Sequence, residues 1–251
     1  MKHIRLRLFI VALLIAFLCS GTGVQAQSAV RQQLYKSFIA ERMDQWGSLI
    51  TDWEAITVMD TEAEQLELAN YCYGYIGYLL GVKRLTDAEI YLDKGQKMVD
   101  LVLEKNPKCA EAYAYKGAFL AFKISTDHSI AAILGPTSVY YIHKAYKLDS
   151  LNLQAVIDQA NFFFYAPGFF GGDVKKAIPL YAQAVALMES TGLWKENWRY
   201  FNLMILLAKA NDKAGKTEEA KKVYNRLLTI EPEFGWVKNR LLPDLLKRAG
   251  R

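Results

Sequence analysis

Histidine and cysteine are scarce in this chain, with three of each in 251 residues. His3 and Cys19 fall in an N-terminal stretch with the marks of an export signal. That leaves His128, His143, Cys72 and Cys109 as the candidate metal-binding or nucleophilic side chains. The two histidines are 15 positions apart, and no HExxH or CxxC spacing occurs. Closed zinc sets are built on short spacings, so no metal site is expected. A GxSxG turn is missing as well, which removes the commonest sequence sign of a serine hydrolase. Carboxylate pairs such as Glu62/Glu64 and Glu218/Glu219 stand at helix starts, where they favour the positive end of the helix dipole. No catalytic residue, metal or cofactor is expected.

Strand patterns are also nearly absent, and no apolar run reaches the ~20 residues that a membrane-spanning helix needs. The longest is the 11-residue run Leu8–Leu18, preceded by Lys2, Arg5 and Arg7 and followed by a Ser-Gly-Thr-Gly break and Val24-Gln25-Ala26. A basic start, a short apolar core and small residues before Ala26 form the signal-peptide pattern, so residues 1–26 are expected to be cleaved on export. Leu18 stands where a lipidated cysteine wants a small residue before it, which argues against Cys19 as an anchor. A soluble exported protein follows, with a Gram-negative periplasm as its expected place. Three of the 31 basic residues and none of the 26 acidic ones lie in this leader, so the net charge falls from +5 to +2 once it is removed. Such a balance gives no reason to expect nucleic acid as a partner. The oxidising compartment permits a Cys72–Cys109 bond, although the helical register separates the two.

Apolar residues instead recur at three- and four-residue spacing, as in Leu203, Leu206, Leu207 and Ala210. Thr61 with Glu64 and Thr86 with Glu89 fit capping boxes, and Asn106-Pro107, Gly135-Pro136, Gly215 and Glu231-Pro232 read as breakers. The mature chain is therefore expected to be all-α, with about ten helices of ordinary length.

Short helices with even punctuation call for a repeat search. From Asn197 to Pro232, small Ala208 is followed 12 positions later by small Ala220, then by Tyr224, Leu227 and Pro232. After Pro107, Tyr113 and Gly117 precede Ile142, Ala145, Leu148 and Asp149; a third unit has Val156 and Ala160, then Ala177, Tyr181, Ala184 and Leu187. These units resemble the tetratricopeptide repeat (TPR), a helical hairpin with small residues at its crossing and bulky ones between neighbours. The resemblance implies a right-handed superhelical stack of antiparallel helix pairs. Its expected parts are a degenerate helical pair at 27–60, repeats at about 61–107, 108–150, 151–190 and 197–232, and a capping helix within 233–251. In the first repeat either Gly74 or Gly77 takes the small position. Two units are overlong. Gly117 to Ser138 spans 21 positions and Ala160 to Ala177 spans 17, which predicts insertions of about nine residues near 126–136 and five near 166–172.

The second insertion lies in YAPGFFGGDVKKA, residues 165–177. It lacks the GK[ST] ending of a nucleotide loop and has no strand before it, so it reads as a bend in which Pro167 ends a helix and Asp173 caps the next. Phe169 and Phe170 are expected to pin this loop to its repeat. Aromatic crowding at Tyr71, Tyr73, Tyr75 and Tyr78, and at Phe162–Tyr165, is expected to serve mainly the core.

By the family's pattern a groove is lined by the first helices. Here it would take Glu111, Ala114, Ala118 and Ala121, then Gln154, Ile157, Asn161 and Phe164, then Asn202, Ile205, Lys209 and Asp212. Gln154, Ile157, Asn161, Phe164, Asn202 and Lys209 are the expected contacts to a peptide or small polar ligand. The resemblance implies a non-enzymatic scaffold or adaptor for another envelope protein. The chain is also similar to periplasmic TPR components that work beside TRAP-type solute transporters, which implies small-molecule or lipid binding instead.

Overall fold

The computed structural model describes residues 25–250; the expected leader, with Cys19, lies almost wholly outside them. Every regular element among the described residues is helical. Helix α1 covers residues 25–39, and α2 runs Trp46–Ile56. Four hairpins follow: α3 (Glu62–Gly81) with α4 (Leu85–Lys105), α5 (Ala110–Thr126) with α6 (Ala131–Leu148), α7 (Leu153–Tyr165) with α8 (Val174–Ser190), and α9 (Trp198–Lys213) with α10 (Thr217–Ile230). A π-helical turn at Val237–Leu241 leads into α11, Leu242–Ala249. The fold is an all-α stack of antiparallel hairpins, as expected.

The first helix of every hairpin begins on a side-chain cap. Thr61 and Glu64 form the reciprocal capping box of α3, and Cys109, Asn152 and Asn197 accept backbone N–H bonds at the starts of α5, α7 and α9. Two of the second helices follow tight turns. Lys83 (φ 60°) and Gly215 (φ 76°) take left-handed geometry before α4 and α10. The Thr86/Glu89 box does not form, because α4 begins two residues earlier than that cap would set, at Leu85, and Arg84 pairs with Asp87 at 2.6 Å. Gly135-Pro136 breaks nothing either. Pro136 lies inside α6, so most of the nine-residue insertion is helix added to the hairpin rather than loop.

Small residues set the crossings. Ala160, Ala177, Ala208 and Ala220 are fully buried. At Gly117 an added Cβ would come within 2.9 Å of the Ile142 nitrogen and the Ser138 carbonyl oxygen, and the Ser138 hydroxyl donates to the Gly117 carbonyl at 2.7 Å. In α3 the Gly77 Cβ position is open, whereas a Cβ on Gly74 would strike Trp46 and Trp198 at 2.6 Å. Gly74 therefore serves a contact between the two ends of the chain rather than one within its own hairpin.

That contact closes the stack. The α1–α2 pair packs on α3, with Trp53 edge-on to Tyr71 at 5.3 Å, and also reaches the last hairpin. Tyr35 meets Phe201 at 5.4 Å, Phe38 meets Phe234 at 5.6 Å, and Trp46 meets Trp198 at 5.0 Å. The Tyr35 hydroxyl donates to Glu231 at 2.5 Å, and Glu41 pairs with Arg240. Leu245 of α11 is buried, while Arg248 reaches back to Asp212 at 2.7 Å.

Candidate functional site

The first helices α3, α5, α7 and α9 converge on a polar cluster centred on Asp158. Its two carboxylate oxygens accept hydrogen bonds from the Tyr73 hydroxyl at 2.9 Å, Gln154 Nε2 at 2.8 Å and Asn161 Nδ2 at 3.2 Å. Asn161 Nδ2 also donates to Tyr73 Oη at 2.7 Å, and Asn161 Oδ1 accepts from the Tyr181 hydroxyl at 2.7 Å. Arg199 Nη2 donates to Gln154 Oε1 at 2.7 Å. Each amide thus uses its oxygen and its nitrogen, which fixes its orientation.

Asp158 is 1% exposed. Burial raises its carboxyl to about 7, against the lowering pull of the bonds from Gln154, Tyr73 and Asn161. Tyr73 lies well above the usual phenol value, first through burial and then through the neighbouring Asp158 charge. The Tyr115 hydroxyl lies buried beside this network, 5.7 Å ring to ring from Tyr73, and is the member with no hydrogen-bond partner. Apart from the Tyr115 hydroxyl, the donors of the cluster point at one another and at Asp158.

The expected contact residues are placed differently from an open groove. Gln154, Ile157 and Phe164 are buried, at 1%, 6% and 8% exposure, and Asn161 is half-buried within the cluster. Ala114, Ala118 and Ile205 are buried too. Asn202 and Lys209 are half-buried on α9 apart from this network; the Lys209 ammonium lies 5.0 Å from the Trp236 ring centre, and burial lowers its pKa. Gln154 and Asn161 are brought together, but by Asp158, which the groove pattern skips. Asp158 had one visible sign, a carboxylate in the middle of the apolar run VIDQANFFF.

His128 and His143 are both exposed and far apart in role: His128 begins a 3₁₀ turn, and His143 Nδ1 bonds Gln159 Oε1 at 2.8 Å. Cys72 and Cys109 are free thiols, both buried; burial pushes Cys109 up to about 11. No group of three metal-ligating side chains occurs among the described residues.

No protein-family model matches the sequence, and no curated protein sequence does. Solved structures do resemble it. The HusA haemophore from Porphyromonas gingivalis superposes with a TM-score of 0.59 at 15% identity, over 75% of this chain and 94% of that one. TTC0263, a thermophilic TPR protein of Thermus thermophilus, gives 0.56 at 12% identity, over 88% and 99%. The chain has a TPR-like helical-repeat fold. At these identities the likeness is one of architecture, and it spans nearly the full length of both neighbours.

The surface holds a correction. Phe169 and Phe170 do not pin their loop: their rings meet each other, tilted, at 4.4 Å and are 83% and 65% exposed. The loop is held by its backbone instead. Asp173 N–H donates to the Phe163 carbonyl at 2.8 Å, and Gly172 lies so close to the Ala166 carbonyl oxygen that a Cβ would stand 1.8 Å from it.

Proposed function

We propose that this chain is an exported, non-enzymatic helical-repeat protein that acts as an interaction scaffold in the cell envelope. The observation that carries this reading is how the stack uses its polar groups. Asp158, Tyr73, Asn161, Gln154 and Tyr181 bond one another, while aromatic surface is left outside the core. One such surface is on α5 and α6, where Tyr140 is 59% exposed beside Tyr141, and Lys144 Nζ sits 3.7 Å from the centre of the Tyr113 ring. An exposed cluster of tyrosines suits a protein interface, where aromatic side chains are enriched. A pull-down from envelope extracts with wild type and Tyr140→Ala tests it. A partner retained by wild type and lost by the variant supports the scaffold; no partner above control with folded protein contradicts it.

A second reading, small-molecule binding of the kind a TRAP-associated component performs, draws on the unpartnered Tyr115 hydroxyl beside the Asp158 cluster. A structural neighbour is named a haemophore, so haem belongs in the ligand set with organic acids and lipids. Thermal-shift screening checks it: a stabilising ligand lost in Tyr115→Phe favours this reading, and no shift across the set rejects it.

A further inference from the structure

The four hairpin turns lie at one edge of the stack. Arg199 reaches Gln154 at the starts of α9 and α7, and Lys213 Nζ donates to the Phe164 carbonyl at their ends, so successive first helices run parallel. Both insertions fall at this edge. The α5–α6 insertion leaves Ile133 73% exposed, and the α7–α8 insertion presents Phe169, Phe170 and Tyr165, the last 65% exposed. Around them stand Lys83, Lys123, Lys175, Lys176, Lys213 and Lys216, all exposed and none with a carboxylate partner among the described residues. Most of the acids nearby are engaged, although Asp44 in the turn before α2 and Glu89 near the start of α4 have no ion-pair partner among the described residues. Asp127 and Asp173 cap helix starts, Asp87 pairs with Arg84, Asp212 with Arg248, and Glu218 and Glu219 with Lys221 and Lys222. The opposite edge carries both signs, with Asp60, Glu111, Asp149 and Glu196 beside exposed Lys105, Lys108, Lys147 and Lys195, and with Glu233 paired to Lys238.

We infer that this basic, aromatic edge docks on an anionic phospholipid surface, with Phe169 and Phe170 entering the headgroup region and the lysines lying against the charged lipids. The two rings project from the tip of a loop rather than line a groove. A fluid interface receives such a projection without a matching cavity, and aromatic rings favour that depth. The lysines are spread over four turns instead of converging on one point, which suits a charged plane. At about fivefold in affinity per lysine near such a surface, the edge gives substantial, salt-sensitive binding. Lipid docking is separate from any protein partner held by the tyrosine surface of α5 and α6.

The test uses the full chain and vesicles of phosphatidylcholine with and without phosphatidylserine, by co-sedimentation at low and high salt. Binding should require phosphatidylserine and weaken with salt. Lys175→Gln with Lys176→Gln should lower it about 25-fold, and Phe169→Ser with Phe170→Ser at least about tenfold, each variant keeping its helical circular dichroism. A local readout separates this edge from the apolar run Leu8–Leu18. In Phe169→Trp, the emission gained over wild type should be quenched by brominated phosphatidylcholine in the serine-containing vesicles. Equal binding to both vesicles, variants that bind like wild type, or a bound protein whose added indole is not quenched would each overturn the inference. So would capture by an acidic peptide column without vesicle binding.

Discussion

At the scale of single residues, the account turns on Asp158. A carboxyl held near 7 when folded and near 4 when unfolded binds its proton more tightly in the native state. Its contribution to stability is full below pH ~4 and is lost as pH rises through about 7, by up to ~4 kcal/mol. Urea midpoints of wild type and Asp158→Asn over this range should diverge, with wild type losing ground toward high pH; parallel curves would reject the buried titration. Two glycines give opposite expectations. Gly117→Ala should cost about 1–3 kcal/mol, because the new methyl meets the Ile142 and Ser138 backbone. Gly77→Ala should gain about 0.5–1 kcal/mol, because its site is an open helix interior. Thermal denaturation decides both. The sequence showed the small position at Gly117 through repeat spacing alone. It could not choose between Gly74 and Gly77, because what crowds Gly74 is Trp198, 124 positions away.

Among the elements, the caps separate what local chemistry dictates from what tertiary contacts decide. Thr61 forms its box because the carboxylate of Glu64 has no better partner. Thr86 fails to form one, because the preceding turn, with Arg84 N–H bonded to the Leu79 carbonyl, already starts the helix. Thr61→Ala should therefore cost about 0.5–2 kcal/mol, and Thr86→Ala almost nothing, by chemical denaturation. The all-α character and both overlong hairpins were legible from periodicity and spacing. The form of each insertion was not. In α6 the added residues continue a helix through Pro136, its sixth residue, at the loss of one N–H bond to the Ala132 carbonyl. In the α7–α8 loop, backbone bonds to Phe163 and Pro167 fix the turn and release the two phenylalanines outward.

For the whole molecule, the feature that family spacing does not reveal is closure. A groove inferred one hairpin at a time assumes an open superhelix. Here α1 and α2 bridge the first and last hairpins through Trp46, Phe38 and Tyr35, so much of the inner face becomes core. Gln154 and Phe164 are themselves covered by neighbouring hairpin helices, through Arg199 and Tyr181, and the outer surfaces carry the binding proposals. Phe38→Ala, which removes the ring between Trp198 and Phe234, should cost about 3–5 kcal/mol, typical of a buried aromatic. Closure is measured most directly by pulsed electron spin resonance between labels at exposed Lys36 on α1 and exposed Asn225 on α10. The account predicts one short, narrow distance distribution, which Phe38→Ala broadens. A broad or long distribution in the wild-type chain would contradict it, because the inner face would then stand open.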